Sequence, residues 1–183
     1  MEHFKEIGIK NINLTAFDIK SKWMLVSAAK PDGSVNTMTA SWGGFGIMWN
    51  KEVVWVVIRP QRYTKEFVDS ADSFSLSFFN KSYQKKALSY LGKVSGRDEN
   101  KIEKSGLTVL KDESGVPFFD EAETVIIARK LYAQPMAEQF FIDKKPIADW
   151  YPEKDFHVYY IAEITKVLKK DDSLLHTLDN IIL

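Results

Sequence analysis

The sequence predicts a mainly β domain with short helices, an antiparallel barrel with Greek-key connections. Three observations predict it. Alternating or β-branched apolar stretches recur along most of the 183 residues, broken by turn signals or short helical segments. No regular crossover helix separates one strand from the next, which disfavours a doubly wound parallel sheet. Finally, 12 Phe, 7 Tyr and 5 Trp bring aromatics to 13%, an excess that suits either a β-rich core or a stacking platform for a planar ligand.

The elements follow in order. Residues 23–29 read as a strand. Lys30-Pro31-Asp32-Gly33-Ser34 is a turn, because Pro presets one backbone angle and Gly accepts the left-handed one. Residues 35–42 resume as a strand, so 23–42 form a hairpin. Residues 53–58 are apolar on both faces, as in a strand buried on both sides. Thr64 is placed to cap a helix over 65–70, with Glu66 in its first turn. Over 73–79 the serines fall on one face and Phe74, Leu76 and Phe78 on the other. Ser82 opens a second helix that Gly92 is expected to end, and 98–104 is a third, with Gly106 past its end. Residues 107–110 are a short strand, and 124–134 and 156–168 two long ones. Between these lies an irregular stretch rich in Pro, Ala and aromatics, and 169–183 is a tail. No repeat or flexible linker interrupts the chain, which reads as one domain over 1–183, its core about 15–168.

Composition excludes several chemistries. Lys+Arg 25 against Asp+Glu 25 is formally neutral, so nothing advertises a nucleic-acid partner, and there is little charge to oppose self-association. Zero cysteines remove disulfides, iron–sulfur clusters, thiolate zinc and cysteine nucleophiles. Three histidines leave little for a protein-built metal centre, so redox chemistry would need an organic cofactor. The longest apolar run is far too short to cross a bilayer and no signal peptide is visible. A cytoplasmic protein without membrane attachment is the expectation.

Three segments carry chemistry. Asn36-Thr37-Met38-Thr39-Ala40-Ser41-Trp42 runs into Gly43-Gly44-Phe45-Gly46. Hydroxyls, an indole and approachable backbone amides converge there; the segment is either a ligand-lining strand and loop or simply a polar strand with a flexible end. Arg59-Pro60-Gln61-Arg62-Tyr63-Thr64 opens a helix, whose first turn and two guanidiniums suit a phosphate. The third, Gly92-Lys93-Val94-Ser95-Gly96-Arg97-Asp98, is basic and again precedes a helix. The glycines at 43, 44 and 46 have the wrong spacing for a dinucleotide fingerprint.

In this order, Asn36-x-Met38-Thr39-x-Ser41-Trp42, Arg59-Pro60-x-Arg62-Tyr63-Thr64 and Ser95-Gly96-Arg97-Asp98-x-x-Lys101 resemble the flavin reductase-like family, and within it the flavoredoxin group. The similarity spans roughly residues 15–168. It implies an FMN-binding split β-barrel and a homodimer with two FMN sites at the subunit interface. It also implies an FMN-dependent oxidoreductase of the NAD(P)H:flavin reductase type, taking hydride from a transiently bound nicotinamide. The alternative it leaves is an FMN-binding electron-transfer protein served by a redox partner protein. By this resemblance Asn36, Thr39, Ser41 and Trp42 line the ring and ribityl chain, with Thr37, Met38 and Ala40 in the same stretch. Arg59, Arg62 and Thr64 hold the phosphate beside Tyr63. Lys101, with Lys93 and Arg97, approaches the same flavin, from its own or the partner subunit. Relatives often carry a histidine on the strand equivalent to 124–134; here there is none, and Tyr132 or Gln134 stands in. His157 reads as a satisfied structural histidine. No catalytic residue and no metal ligand is assigned.

Overall fold

The structure is a computed structural model and describes residues 3–171. An eight-stranded antiparallel sheet holds β1 (Phe4–Glu6), β2 (Met24–Ala29), β3 (Val35–Ala40), β4 (Gly43–Met48), β5 (Lys51–Ile58), β6 (Ser73–Phe78), β9 (Thr124–Pro135) and β10 (Val158–Lys170). The order is β3-β2-β6-β9-β10-β5-β4, with β1 on the far end of β10. A two-stranded piece, β7 (Val109–Lys111) with β8 (Pro117–Phe119), lies apart from it. The sheet curls around an apolar core, but β3 and β4 stand at its two ends and do not pair. Only Ser41 and Trp42 separate these strands in the chain. The barrel is therefore split, and the chain crosses the split at Ser41-Trp42.

Period-two alternation puts the core inside. Met38, Val26, Leu76, Ile126 and Val167 are successive register partners across five strands, and all belong to the interior cluster. Phe74, Leu76 and Phe78 of β6 face this interior, as the alternation predicts. The opposite face is buried as well: the Ser75 hydroxyl donates to the Pro117 carbonyl of β8 at 2.5 Å. A second cluster, with Leu25, Leu88, Leu91, Phe118 and Ile127, fills the space outside that sheet. It is covered by a helical run that has a π turn at Gln84–Leu88 and continues as α3 (Ser89–Lys93).

The 30–34 turn forms as expected: Gly33 has φ +86°, and Asp32 accepts from the Ser34 amide at 2.9 Å. Four expectations are corrected. The glycine stretch is not a loop but β4, paired with β5. Its glycines make room for Trp55: a Cβ on Gly44 would come within 2.6 Å of the indole, and one on Gly43 within 2.7 Å of the Trp55 carbonyl. Thr64 does not cap its helix; α2 (Tyr63–Ser70) begins two residues earlier than expected and Arg62 is the cap. Gly92 lies inside α3, where a Cβ would press to 3.2 Å on Thr39. The third helix, α4 (Lys101–Ser105), starts later than predicted, at Asn100, whose side chain accepts from the Glu103 amide; Gly106 at φ +72° ends it. α1 (Asp18–Lys22) and α5 (Lys145–Trp150) fall in stretches left unassigned by periodicity, as do β1 and β8. Lys169 and Lys170, expected to open the tail, extend β10; the rest of that tail from 172 lies outside the described residues.

Candidate functional site

The split creates the site. β3 points Met38 and Ala40 into the barrel and Thr39 outward beneath α3, where its hydroxyl donates to the Leu88 carbonyl at 2.5 Å. Past Ala40 the chain leaves the sheet, and Trp42 remains 37% exposed. Its indole stands edge-on to Trp150 of α5, centroids 5.0 Å apart at 85°, and lies 5.1 Å from the His157 ring. These rings, with residues 38–42, Val57, Arg59 and Arg62, enclose a cleft of about 290 Å³. An apolar recess of about 490 Å³ continues from it between Phe17, Trp55 and Tyr151, sharing the Trp42 and Trp150 walls.

A second, smaller cavity of about 190 Å³ adjoins across Arg62, between the start of α2 and the turn after α3. It is electropositive. Arg62 Nη1 donates to the Gly92 carbonyl at 2.6 Å, while Nη2 is buried with no partner among the described residues. Lys101 is 3% exposed, and among the described residues its Nζ meets only the Leu91 and Val94 carbonyls, at 3.1 and 2.9 Å. Burial, and then the Arg62 charge, lowers the Lys101 pKa to about 8. Burial also lowers that of Arg62. Two partly desolvated cations that repel each other, with no carboxylate paired to either among the described residues, are costly unless an anion completes them. Thr64 lines the same cavity. Its Oγ1 accepts from Asn36 Nδ2 at 3.1 Å, which leaves its own proton to donate. Asn36 in turn seats the 95–97 turn, since a Cβ on Gly96 would come within 2.5 Å of Asn36 Oδ1.

The residues singled out in the sequence thus separate into groups. Met38, Thr39, Ala40, Ser41, Trp42, Arg59 and Arg62 line the larger cleft. Arg62, Tyr63, Thr64, Lys93 and Lys101 line the smaller cavity. Asn36 supports the latter from behind. Thr37 is fully buried, bonded to the Ser27 hydroxyl at 2.8 Å and the Val26 carbonyl at 3.1 Å, so it offers no surface to a ligand. Arg97 lines neither space; it pairs with Glu66 at 2.5 Å and stacks 4.6 Å from the Tyr63 ring. Arg59 is absent from the small cavity. It pairs with Asp155 and donates to the Trp150 carbonyl at 2.7 Å, pinning the segment between β9 and β10 over the cleft.

Sequence reasoning missed that segment. Trp150 has no local periodic signal, and only Pro146 at a helix start marks α5. His157 is satisfied on one side only: Tyr151 holds Nδ1 at 2.8 Å, and the ring faces the cleft. Tyr132 and Gln134, expected beside the ligand, line a neighbouring groove of about 370 Å³ that shares no residue with the cleft itself and meets its apolar recess at Met136 and Phe141. A recess of about 590 Å³ near Lys30 and Pro117 shares none of these residues either.

The chain is thus a split antiparallel barrel that carries an aromatic cleft joined to a small electropositive cavity. The flavin reductase like domain matches residues 17–179, and the chain belongs to that family. Solved structures agree on the fold. The flavoredoxin of Desulfovibrio vulgaris (Miyazaki F) is 22% identical with a TM-score of 0.64, over 92% of this chain and 77% of that one. The flavoredoxin of Methanosarcina acetivorans is 22% identical with a TM-score of 0.63, over 82% and 69%. An FMN-binding domain of a flavin reductases-like enzyme from Shewanella baltica is 15% identical with a TM-score of 0.65, over 91% and 77%. No curated protein matches the sequence. No helix among the described residues is long and apolar enough to cross a membrane.

Proposed function

We propose that this chain binds FMN across the two joined spaces and works as an NAD(P)H-dependent flavin oxidoreductase in a homodimer. The observation that carries the reading is the buried Lys101 next to the half-buried Arg62, whose Nη2 is itself buried, with no carboxylate paired to either among the described residues, beside an aromatic cleft. The phosphate fits the small cavity, where Arg62 Nη2, Lys101 Nζ, the Thr64 hydroxyl and the first-turn amides of α2 donate. The ring system fits the larger cleft, against Trp42 and the backbone of residues 39–41. FMN, when bound, supplies the hydride and electron chemistry; the protein's part is placement and electrostatics. Trp42 and Trp150 exclude water from one edge, and the pinned 146–157 segment limits the direction of approach. The exposed Ile47 and Trp49 at the β4–β5 turn add apolar surface for a second subunit.

The visible spectrum of the purified protein tests this, followed by FMN titration and by anaerobic addition of NADH or NADPH. Flavin uptake with bleaching by a nicotinamide supports the proposal. Uptake with bleaching only by a donor protein points to an electron carrier. No uptake refutes both. Sedimentation at micromolar concentration tests the dimer, and a monomer with FMN bound would rule it out.

A further inference from the structure

The chain is formally neutral, yet its positive charge is gathered on one face. Residues 79–97 hold Lys81, Lys85, Lys86, Lys93 and Arg97 and no carboxylate. Arg97 is taken by Glu66, but the four lysines are exposed and make no ion pair among the described residues. Ala87 and Leu88 of the π turn and Leu91 of α3 carry the buried face of this helical run, which turns Lys85 and Lys86 to solvent. α1 abuts the start of the run, where Gln84 Nε2 donates to the Ser21 carbonyl at 2.7 Å. That bond brings Lys20 and Lys22, which flank Ser21, to the same edge as Lys85.

The carboxylates that reach these elements are engaged. Asp18 accepts from the Thr15 amide at 2.9 Å and lies 3.9 Å from Lys22, which leaves Lys20 unpaired among the described residues. Glu99 is held by Tyr90 and Lys104, and Glu123 accepts from Asn80 at 3.2 Å. A lysine stripe thus runs from Lys20, which lines the apolar recess, to Lys93, which lines the small cavity. Both spaces of the site open beside it. At the recess end it meets exposed aromatic surface, Phe17 at 89% and Trp150 at 52%. An aromatic centre with charge at its rim is the layout of a protein interface.

Two features choose the occupant. A neutral chain with segregated charge steers an oppositely charged face toward it, whereas a bulk polyanion calls for an excess of basic residues over the whole domain. Lysine is a hydrated point charge on a flexible stem, suited to encounters that form and dissolve quickly, where arginine forks would grip phosphates. We propose that Lys20, Lys81, Lys85, Lys86 and Lys93, with Phe17 at their apolar end, are the docking surface for an acidic electron-transfer protein, seated at the mouth of the cofactor site. This rests on the FMN reading and deepens it, by giving the site a macromolecular partner of negative surface charge. Redox encounters of this kind bury less than about 1,200 Å².

The test uses FMN-loaded protein and two acidic probes, a flavodoxin and a plant-type [2Fe–2S] ferredoxin, with basic cytochrome c as the opposite-charge probe. All are kept oxidised, so association is read without electron flow. Anisotropy titrations of the labelled probes at about 0.01 M and about 0.15 M salt span Debye lengths of about 30 and 8 Å. At least one acidic probe should bind, about tenfold or more weakly at the higher salt, and cytochrome c should not. Lys85→Glu with Lys86→Glu should weaken low-salt binding about tenfold or more and leave FMN uptake unchanged. Lys111→Glu, on β7 outside the stripe, should weaken it far less. Phe17→Ala should weaken it without altering the salt dependence. Binding indifferent to salt or to the Lys85 and Lys86 reversals, or no association of either acidic probe, would overturn the proposal and leave the FMN reading standing. So would single-stranded DNA or phosphatidylserine vesicles binding the stripe more tightly than either acidic protein. Wild type that takes up no FMN would overturn the FMN reading, and this proposal with it.

Discussion

Replacing Lys101 with Met should cripple FMN binding while leaving riboflavin binding and the fold intact. In the free protein Lys101 is buried beside Arg62, and its pKa falls from 10.5 to about 8. That shift means the free fold bears roughly 3 kcal/mol of cost in keeping the ammonium charged at neutral pH. The sign follows from the direction: the unfolded chain holds the proton up to its ordinary value, the folded chain releases it near 8. The stability attached to a neutral Lys101 is therefore present above about 10.5 and lost as pH falls from there to about 8. Met removes the buried charge but strands the Leu91 and Val94 carbonyls, each worth about 1–3 kcal/mol. The two effects nearly offset, so ligand-free Tm should change little. FMN binding loses a charge-assisted contact worth about 1.5–3 kcal/mol, a tenfold to hundredfold loss, and riboflavin loses nothing. A second signature concerns pH. In wild type a bound phosphate holds the proton on Lys101, so FMN affinity should fall above about pH 8, approaching tenfold per unit, and stay flat for riboflavin. Fluorescence titrations of both flavins between pH 6.5 and 9.5 (about three units) read both effects. Equal losses for FMN and riboflavin, or an FMN affinity indifferent to pH, would refute the phosphate assignment.

Three further outcomes are expected. Trp42→Ala should weaken FMN about tenfold with little change in ligand-free Tm, because the indole is 37% exposed and touches Trp150 and His157 rather than the barrel core; a large ligand-free loss by differential scanning calorimetry would place it in the core instead. Arg59→Ala should free the 146–157 segment, exposing it to limited proteolysis, and should reduce FMN affinity less than Arg62→Ala does, since Arg59 is held by Asp155 and lies outside the small cavity; the opposite ranking by titration would return Arg59 to the phosphate. His157, depressed from 6.5 to about 4, should make the fold lose roughly 3 kcal/mol as pH falls from 6.5 to 4, because the unfolded chain takes up the proton first. Denaturant unfolding across that range should show the slope, and His157→Gln should reduce it.

How much was legible in advance depends on the distance over which each signal acts. The faces of β6, the 30–34 turn and both long strands come from neighbours within a few residues, and the residues themselves specify them. Arg62 and Thr64, which line the small cavity, belong to this class only in part: a helix near them is a local event, but its first residue was misplaced. Boundaries failed where a remote contact overrode local preference. Gly43 and Gly44 look like loop residues until Trp55, eleven or twelve positions on, is laid across them by the β4–β5 ladder.

By itself the sequence determined the mainly antiparallel β architecture, the absence of cysteine chemistry and the segments that meet at the site. Only tertiary structure decided which of them face the same space. Arg59 is drawn to Asp155, 96 residues away, and so stays out of the small cavity. Lys101 is buried next to Arg62, which sets two ordinary surface-type cations side by side in one small cavity. His157 reaches the cleft because β10 begins beside the β3–β4 split. The physical reason is common to all three: periodicity and turn chemistry act through the chain, whereas burial, charge pairing and hydrogen-bond direction act through space and exist only once the sheet has closed around its core.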